Sequence, residues 1–186
     1  PVTRWYEDVV LEEMHELGSH RFKEGEITRF AEAYDPQYFH LDATLAAHSR
    51  FGGLVASGWH VAAAGHRLMV DALLKQENEL RTLGEEPGVS GPSPGGSRIE
   101  FGAPVRPGDV IAYRLTVYAK RPSNSIPGWG LLFNRMIATN QRDEQVYLSE
   151  FVGFSKRRDF RVPLKLRVLQ RLTQLPVIGT LLKRRS

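Results

Sequence analysis

The segment Trp59–Leu83, WHVAAAGHRLMVDALLKQENELRTL, followed after a glycine- and proline-rich interval by Asp109–Arg121, DVIAYRLTVYAKR, decides how this chain folds. In the first, Val61, Ala64, Gly65, Leu68, Met69, Ala72 and Leu73 recur at helical spacing and form a broad apolar side. Ser57, two residues upstream, is a natural N-cap. In the second, the period changes to two and sets Ile111, Tyr113, Leu115 and Val117 on one face. Gly128–Asn140 and Gln145–Lys156 continue as two further strands, with the polar hairpin Gln141-Arg142-Asp143-Glu144 between them. Upstream, Glu24–Tyr34 reads as a short helix that Asp35-Pro36 ends, and Asp42 to His48 as another short helical turn. Gly84 to Ser97 reads as a surface loop, and Pro104 to Asp109 as a turn feeding the first long strand. A helical first half before a run of antiparallel strands indicates an α+β fold. The helix is apolar around much of its surface, so the sheet is expected to wrap it.

The 186 residues suit one domain, and 41% apolar with 25% charged residues is ordinary for a globular protein. With no cysteine in the sequence, disulfides, thiolate nucleophiles and cysteine-bound metal are excluded. No run of about 18 apolar residues is present. The opening PVTRWYEDVV does not read as a signal peptide, which makes a cytoplasmic location the default expectation. The net charge of +4 is unevenly placed. Residues 156–186 hold 10 of the 25 Lys/Arg and 1 of the 21 acids, which leaves 15 basic against 20 acidic groups, or −5, before them. A nucleic-acid reading of the main body loses its support for that reason.

Two segments can carry chemistry. In Tyr34-Asp35-Pro36-Gln37-Tyr38-Phe39-His40-Leu41-Asp42, a carboxylate and an imidazole lie five residues apart beyond a helix end. Such a pair can hold a water and move its protons near neutral pH. Alternatively Asp35 caps a turn and His40 is a satisfied loop histidine. In Phe51-Gly52-Gly53-Leu54-Val55-Ala56-Ser57-Gly58-Trp59, a glycine opens a long helix whose first N–H groups have no helical partner and share the positive end of the dipole. That suits a carbonyl oxygen gaining negative charge, although the glycines can equally serve turn geometry alone. Asp42 is expected to brace the turn after His40. His60 and His66, six apart on the long helix, read as packing or interface residues, and His15 and His20 carry no signal. The histidines show no paired metal-ligand spacing.

Taken together, DPQYFHLD and FGGLVASGW resemble the MaoC-like acyl dehydratases, also called R-specific enoyl-CoA hydratases. The resemblance continues through Pro104-Val105-Arg106-Pro107-Gly108-Asp109, Arg121-Pro122-Ser123 and Asn140-Gln141-Arg142, and covers roughly residues 15 to 158. It implies a hotdog fold, an antiparallel sheet wrapped around a long central helix, in a single domain at 1–158 working as a homodimer or as part of a double-hotdog unit. It also implies hydro-lyase activity within fatty acid metabolism: reversible syn addition of water to a trans-2-enoyl thioester of coenzyme A or acyl-carrier-protein, giving an (R)-3-hydroxyacyl thioester. By position, Asp35 and His40 match the residues that hold the catalytic water and shuttle protons, and Gly58 the one whose N–H polarises the thioester carbonyl. No metal or separate cofactor is implied, coenzyme A entering as part of the substrate.

The chain departs from the pattern in two places. Ser57-Gly58 stands where His-Gly is frequent, so Ser57 either offers its hydroxyl to the site or caps the helix. Ala62-Ala63-Ala64-Gly65-His66 lacks the serine often found deeper in the helix. The second departure keeps a non-catalytic acyl-binding hotdog protein in view, and a thioesterase on the same fold is a third reading. Arg106, Lys120, Arg121 and Arg142 lie at strand ends or turns, where substrate phosphates or plain solvent could meet them. Residues 159–186 form a basic amphipathic extension outside the resemblance. Docking on the domain or a partner subunit, and peripheral contact with an anionic membrane, both suit its pattern.

Overall fold

A computed structural model describes residues 4–158 and 160; the basic extension expected at 159–186 lies almost wholly outside them. The three long strands foreseen from the period-two pattern form an antiparallel meander: β3 (Val110–Pro122), β4 (Trp129–Thr139) and β5 (Gln145–Lys156). Two further strands flank it, β1 (Met14–Arg21) on β3 and β2 (Gly95–Phe101) on β5, giving the order β1-β3-β4-β5-β2. The helices are α1 (Glu24–Tyr34), α2 (Tyr38–Leu41), α3 (Ala43–Ala47) and α4 (Gly58–Thr82).

Helix α4 packs on one face of the sheet from Val61 to Ala72. Val61 and Gly65 are its buried residues. A Cβ at Gly65 would stand 2.6 Å from the Tyr113 ring and 2.9 Å from the Met136 sulfur, so only glycine lets helix and sheet come this close. The Tyr113 hydroxyl donates to the Val61 carbonyl at 2.9 Å, satisfying a polar group in the middle of the core. Around it lie Leu17, Ile111, Leu115, Met136 and Ala138, all buried. Each large side chain so removed from water stabilises the fold by about 1.5–3 kcal/mol.

Two expectations are corrected. First, the opening half is not purely helical, because Met14–Arg21 is a strand, with His15 and His20 on it. His20 there meets Phe22 and His60 edge-on. Second, the interval 84–97 is not all loop: β2 begins at Gly95. The sheet packs along α4 as expected, as far as Ala72. Beyond Asp71 the helix carries charge on most sides, with i,i+4 pairs Arg67–Asp71, Lys75–Glu79 and Glu77–Arg81, and Leu83 at its end is 74% exposed. Such pairs support a solvated helix by a few tenths of a kcal/mol each.

The beginning and the end of the described domain are tied together. Ser155 Oγ donates to the Arg4 carbonyl, the Arg158 N–H to Glu7 Oε2 at 3.0 Å, and the Arg158 guanidinium to Asp8 Oδ2 at 2.6 Å. Lys120 Nζ donates to the carbonyls of Tyr6, Glu7 and Val9 and lies over the Tyr6 ring. Its role is therefore to hold the N-terminal segment, as Arg142 holds the 140–144 hairpin through Glu144 and Asp109.

Candidate active site

Proline at 36 forces Asp35 out of the helical region, and α1 ends with the Asp35 N–H still donating to the Ala31 carbonyl at 2.9 Å. The chain turns at once: the Gln37 N–H donates to the Asp35 carbonyl at 2.7 Å, and α2 starts at Tyr38. This brings His40, 5% exposed, back under Asp35. The segment 51–57 is then clamped against α2. The Val55 N–H donates to the Phe39 carbonyl at 3.2 Å, and the Val55 carbonyl accepts from His40 Nδ1 at 2.7 Å. The Ala56 N–H donates to the Val105 carbonyl at 2.8 Å, fixing the same segment to the turn before β3.

A backbone carbonyl can only accept, so Nδ1 must carry the proton toward Val55. In the neutral ring Nε2 is therefore bare, and it lies 3.4 Å from Asp35 Oδ2. Ser57, 1% exposed, resolves the alternatives left open for it by filling both. Its Oγ accepts from the Trp59 N–H at 3.2 Å as the α4 cap and donates to Asp35 Oδ2 at 2.6 Å. Gln37 Nε2 donates to Asp35 Oδ1 at 2.8 Å. Partial burial by itself would raise the Asp35 carboxyl. The Ser57 and Gln37 hydrogen bonds, with the neighbouring His40, outweigh it and hold the group below the usual carboxylate value. Asp35 is thus ionised at neutral pH.

Asp35, His40 and Gly58 line one cavity of about 320 Å³, whose apolar walls include Val61, Phe101 and Val146. The Gly58 N–H is one of the first-turn donors of α4 and has no hydrogen-bond partner among the described residues. The Phe101 ring lies directly against the Gly58 Cα, where a Cβ would come within 2.6 Å of it. The four residues expected at the site, Asp35, His40, Ser57 and Gly58, are therefore brought together. Gln37 and Phe101 were missed. Gln37 was detectable, standing two residues from Asp35 with a side-chain amide, whereas nothing local to Phe101 signals its contact with Gly58.

Other expectations settle as structure. Asp42 Oδ1 accepts from the Thr44 and Leu45 N–H groups and caps α3. His60 stacks on Phe30 at 4.6 Å outside the cavity, and burial lowers it to about 4, so it is a neutral ring in a cluster of rings. His66 is exposed. Among the described residues no group of three or more His, Cys, Asp or Glu could hold a metal ion, and no helix is long and apolar enough to cross a membrane.

Comparison with known proteins gives a consistent picture. Residues 9–127 match the MaoC like domain family. The uncharacterized protein YdeM of Bacillus subtilis is 25% identical over 151 residues, 81% of this chain and 98% of that protein. Among solved structures, a MaoC-like dehydratase from Rhodospirillum rubrum is 32% identical, with 84% of this chain and 99% of that one covered and a TM-score of 0.69. A Mycobacterium tuberculosis protein with a double hotdog fold is 14% identical and shares the fold, at a TM-score of 0.64 over 87% of this chain and 47% of its own.

Proposed function

Because this chain belongs to the MaoC-like domain family, we propose that it adds water reversibly across the double bond of a trans-2-enoyl thioester, giving an (R)-3-hydroxyacyl thioester. The family and the 32%-identical dehydratase support a general hydratase/dehydratase role. The finer reading, an acyl group carried on coenzyme A or acyl-carrier-protein, rests on the chemistry that the cavity favours. One observation carries it: the ionised Asp35 carboxylate and His40 Nε2, 3.4 Å apart, share a cavity with Gly58 at the start of a long helix.

In this reading a water sits between Asp35 and His40 Nε2, both of which accept its hydrogens. As its oxygen bonds to Cβ, the pair takes one proton and the π electrons move toward the thioester carbonyl. The Gly58 N–H, aided by the helix dipole, stabilises the developing enolate oxygen; one such donor is worth about 3 kcal/mol. When the cycle starts from the ionised Asp35 and a neutral ring, the pair holds no proton of its own to give. The proton that reaches Cα is then the one taken from water, delivered from the same face, which makes the addition syn. Ser57 keeps Asp35 ionised and oriented. The steps need no metal or cofactor besides the carrier of the thioester. We further read the functional unit as a homodimer, supported by the apolar rim of Trp59, Ile99 and Phe101 along the β2 edge.

The test is crotonyl-CoA hydration, followed by loss of enoyl absorbance, for wild type, Asp35→Asn and His40→Ala. Hydration in the wild type and a fall of about 10²–10⁴-fold in both folded variants is expected. Activity retained in both would overturn the mechanism. Release of free thiol in place of a hydroxyacyl thioester would turn the reading to a thioesterase.

A further inference from the structure

One end of the sheet takes no part in the chemistry above. There β3 finishes at Pro122, β4 starts at Trp129 and β5 finishes at Lys156, with Arg121 opposite Leu131 and Trp129 opposite Lys156. Arg121 and Lys156 are exposed, and among the described residues neither has a carboxylate within ion-pair distance. Arg67, Arg98, Arg114, Arg135 and Arg142, by contrast, each have one. Two exposed apolar side chains stand with the unpaired cations. Ile126 lies in the turn between β3 and β4. Val89 is beside Lys156, whose N–H donates to the Val89 carbonyl at 2.9 Å.

The chain leaves the domain at this same end. The Arg157 N–H donates to the Gly128 carbonyl at 2.9 Å, and the Phe160 ring lies against Gly128, where a Cβ would come within 2.8 Å of it. Residues 161–186 follow, outside the described part, and their sequence holds seven Lys/Arg and no acid. Between the cations Leu164, Val168, Leu169, Leu172 and Leu175 recur at helical spacing. A partner has to answer both features, dense positive charge and a series of branched aliphatic side chains. The domain surface at the exit does not answer the charge. It adds the cations Arg121 and Lys156, and its acids Glu7 and Asp8 are already held by Arg157 and Arg158. A nucleic acid answers the charge alone, because 161–186 contains no aromatic ring to stack on a base. A bilayer of anionic lipid answers both, with phosphates at its surface and hydrocarbon beneath them.

We propose that Val89, Arg121, Ile126 and Lys156 form, together with residues 161–186, one surface that binds an anionic phospholipid bilayer. The cations meet lipid phosphates, while Val89, Ile126 and the leucines of the extension enter the apolar boundary below the headgroups. The described part of this surface is rigidly placed by the strand ends, so it orients the domain on the bilayer where the extension alone would only tether it. None of its residues lines the cavity of Asp35 and His40, and the inference is independent of the thioester reading.

The full chain is sedimented with vesicles of equimolar phosphatidylglycerol and phosphatidylcholine, and with vesicles of phosphatidylcholine alone. The wild type is expected to bind the anionic vesicles at least tenfold more tightly than the neutral ones, and to be released as salt is raised. The triple variant Lys183→Gln, Arg184→Gln, Arg185→Gln is expected to weaken that binding about a hundredfold. Ile126→Asp, at an exposed turn of the described domain, is expected to weaken it about tenfold with an unchanged denaturation midpoint. No binding by the wild type, or equal binding to both kinds of vesicle, overturns the proposal. Binding undiminished in the triple variant removes the extension from the surface, and binding undiminished in I126D removes the sheet end; either result overturns it. A lower denaturation midpoint of the triple variant, with no vesicle binding by the wild type, also overturns it and shows instead that the extension docks on the domain.

Discussion

Ser57 joins fold and chemistry in one hydroxyl: the lone pair caps α4 and the proton goes to Asp35. Two effects of Ser57→Ala follow. Loss of the cap is expected to lower stability by about 1 kcal/mol, read by chemical denaturation. Loss of the donor removes a hydrogen bond to the charged form of Asp35, so its carboxyl rises toward the ordinary value. The acid limb of kcat/KM that reports Asp35 is then expected to move to higher pH, and Ser57→Thr to restore it. The sign for stability is fixed in the same way. Asp35 is held low in the folded state, so its contribution is present above the ordinary carboxylate value and is lost as pH falls through the folded one. The extra destabilisation of S57A should accordingly shrink in acid. Asp35 and His40 were legible because five residues of sequence and one proline bring them together. The tautomer of His40 was not, since it depends on a carbonyl fifteen residues away.

At the scale of elements, the meander was legible and its flanks were not. Strand β3 alternates along most of its length and β4 over its second half, while β5 shows itself by its β-rich composition and buries Val146 to Ser149 in succession. Both missed strands are edges. β1, MHELGSHR, carries a bulge between Glu16 and Gly18 and buries Leu17 alone; β2, GGSRIEF, buries no side chain fully. An edge strand with little to bury has no reason to alternate, and glycine and serine then read as loop. The long helix was legible from its apolar side, of which Val61, Ala64, Gly65, Leu68, Met69 and Ala72 do pack into the core. The contact of β2 with α4 through Phe101 and Gly58 can be tested directly. Gly58→Ala is expected to cost about 1–3 kcal/mol by overpacking against the ring. In a double-mutant cycle Phe101→Ala should recover much of that loss. Additive effects would mean that the ring does not rest on the helix start.

At the scale of the whole molecule, the sheet has two free edges, β1 and β2. The β2 edge carries an apolar rim: Ile99 and Phe101 are each 48% exposed and Trp59, in contact with Phe101, 55%. An edge of unpaired backbone groups rimmed by large apolar side chains is a pairing surface unless something covers it. Sedimentation of the wild type is expected to give a dimer, and Ile99→Asp to shift it to monomer; a monomeric wild type would remove the homodimer reading. The ties of Arg4, Glu7 and Asp8 to Ser155 and Arg158 have a different consequence, one of chain architecture. The segments Arg4 to Asp8 and Ser155 to Arg158 meet at one place on the surface. A second copy can therefore follow the first through a short connection, with neither sheet nor cavity disturbed, and so can a circular permutation that joins the old ends and opens the chain elsewhere. The geometry of the two ends leaves duplication of this unit structurally undemanding.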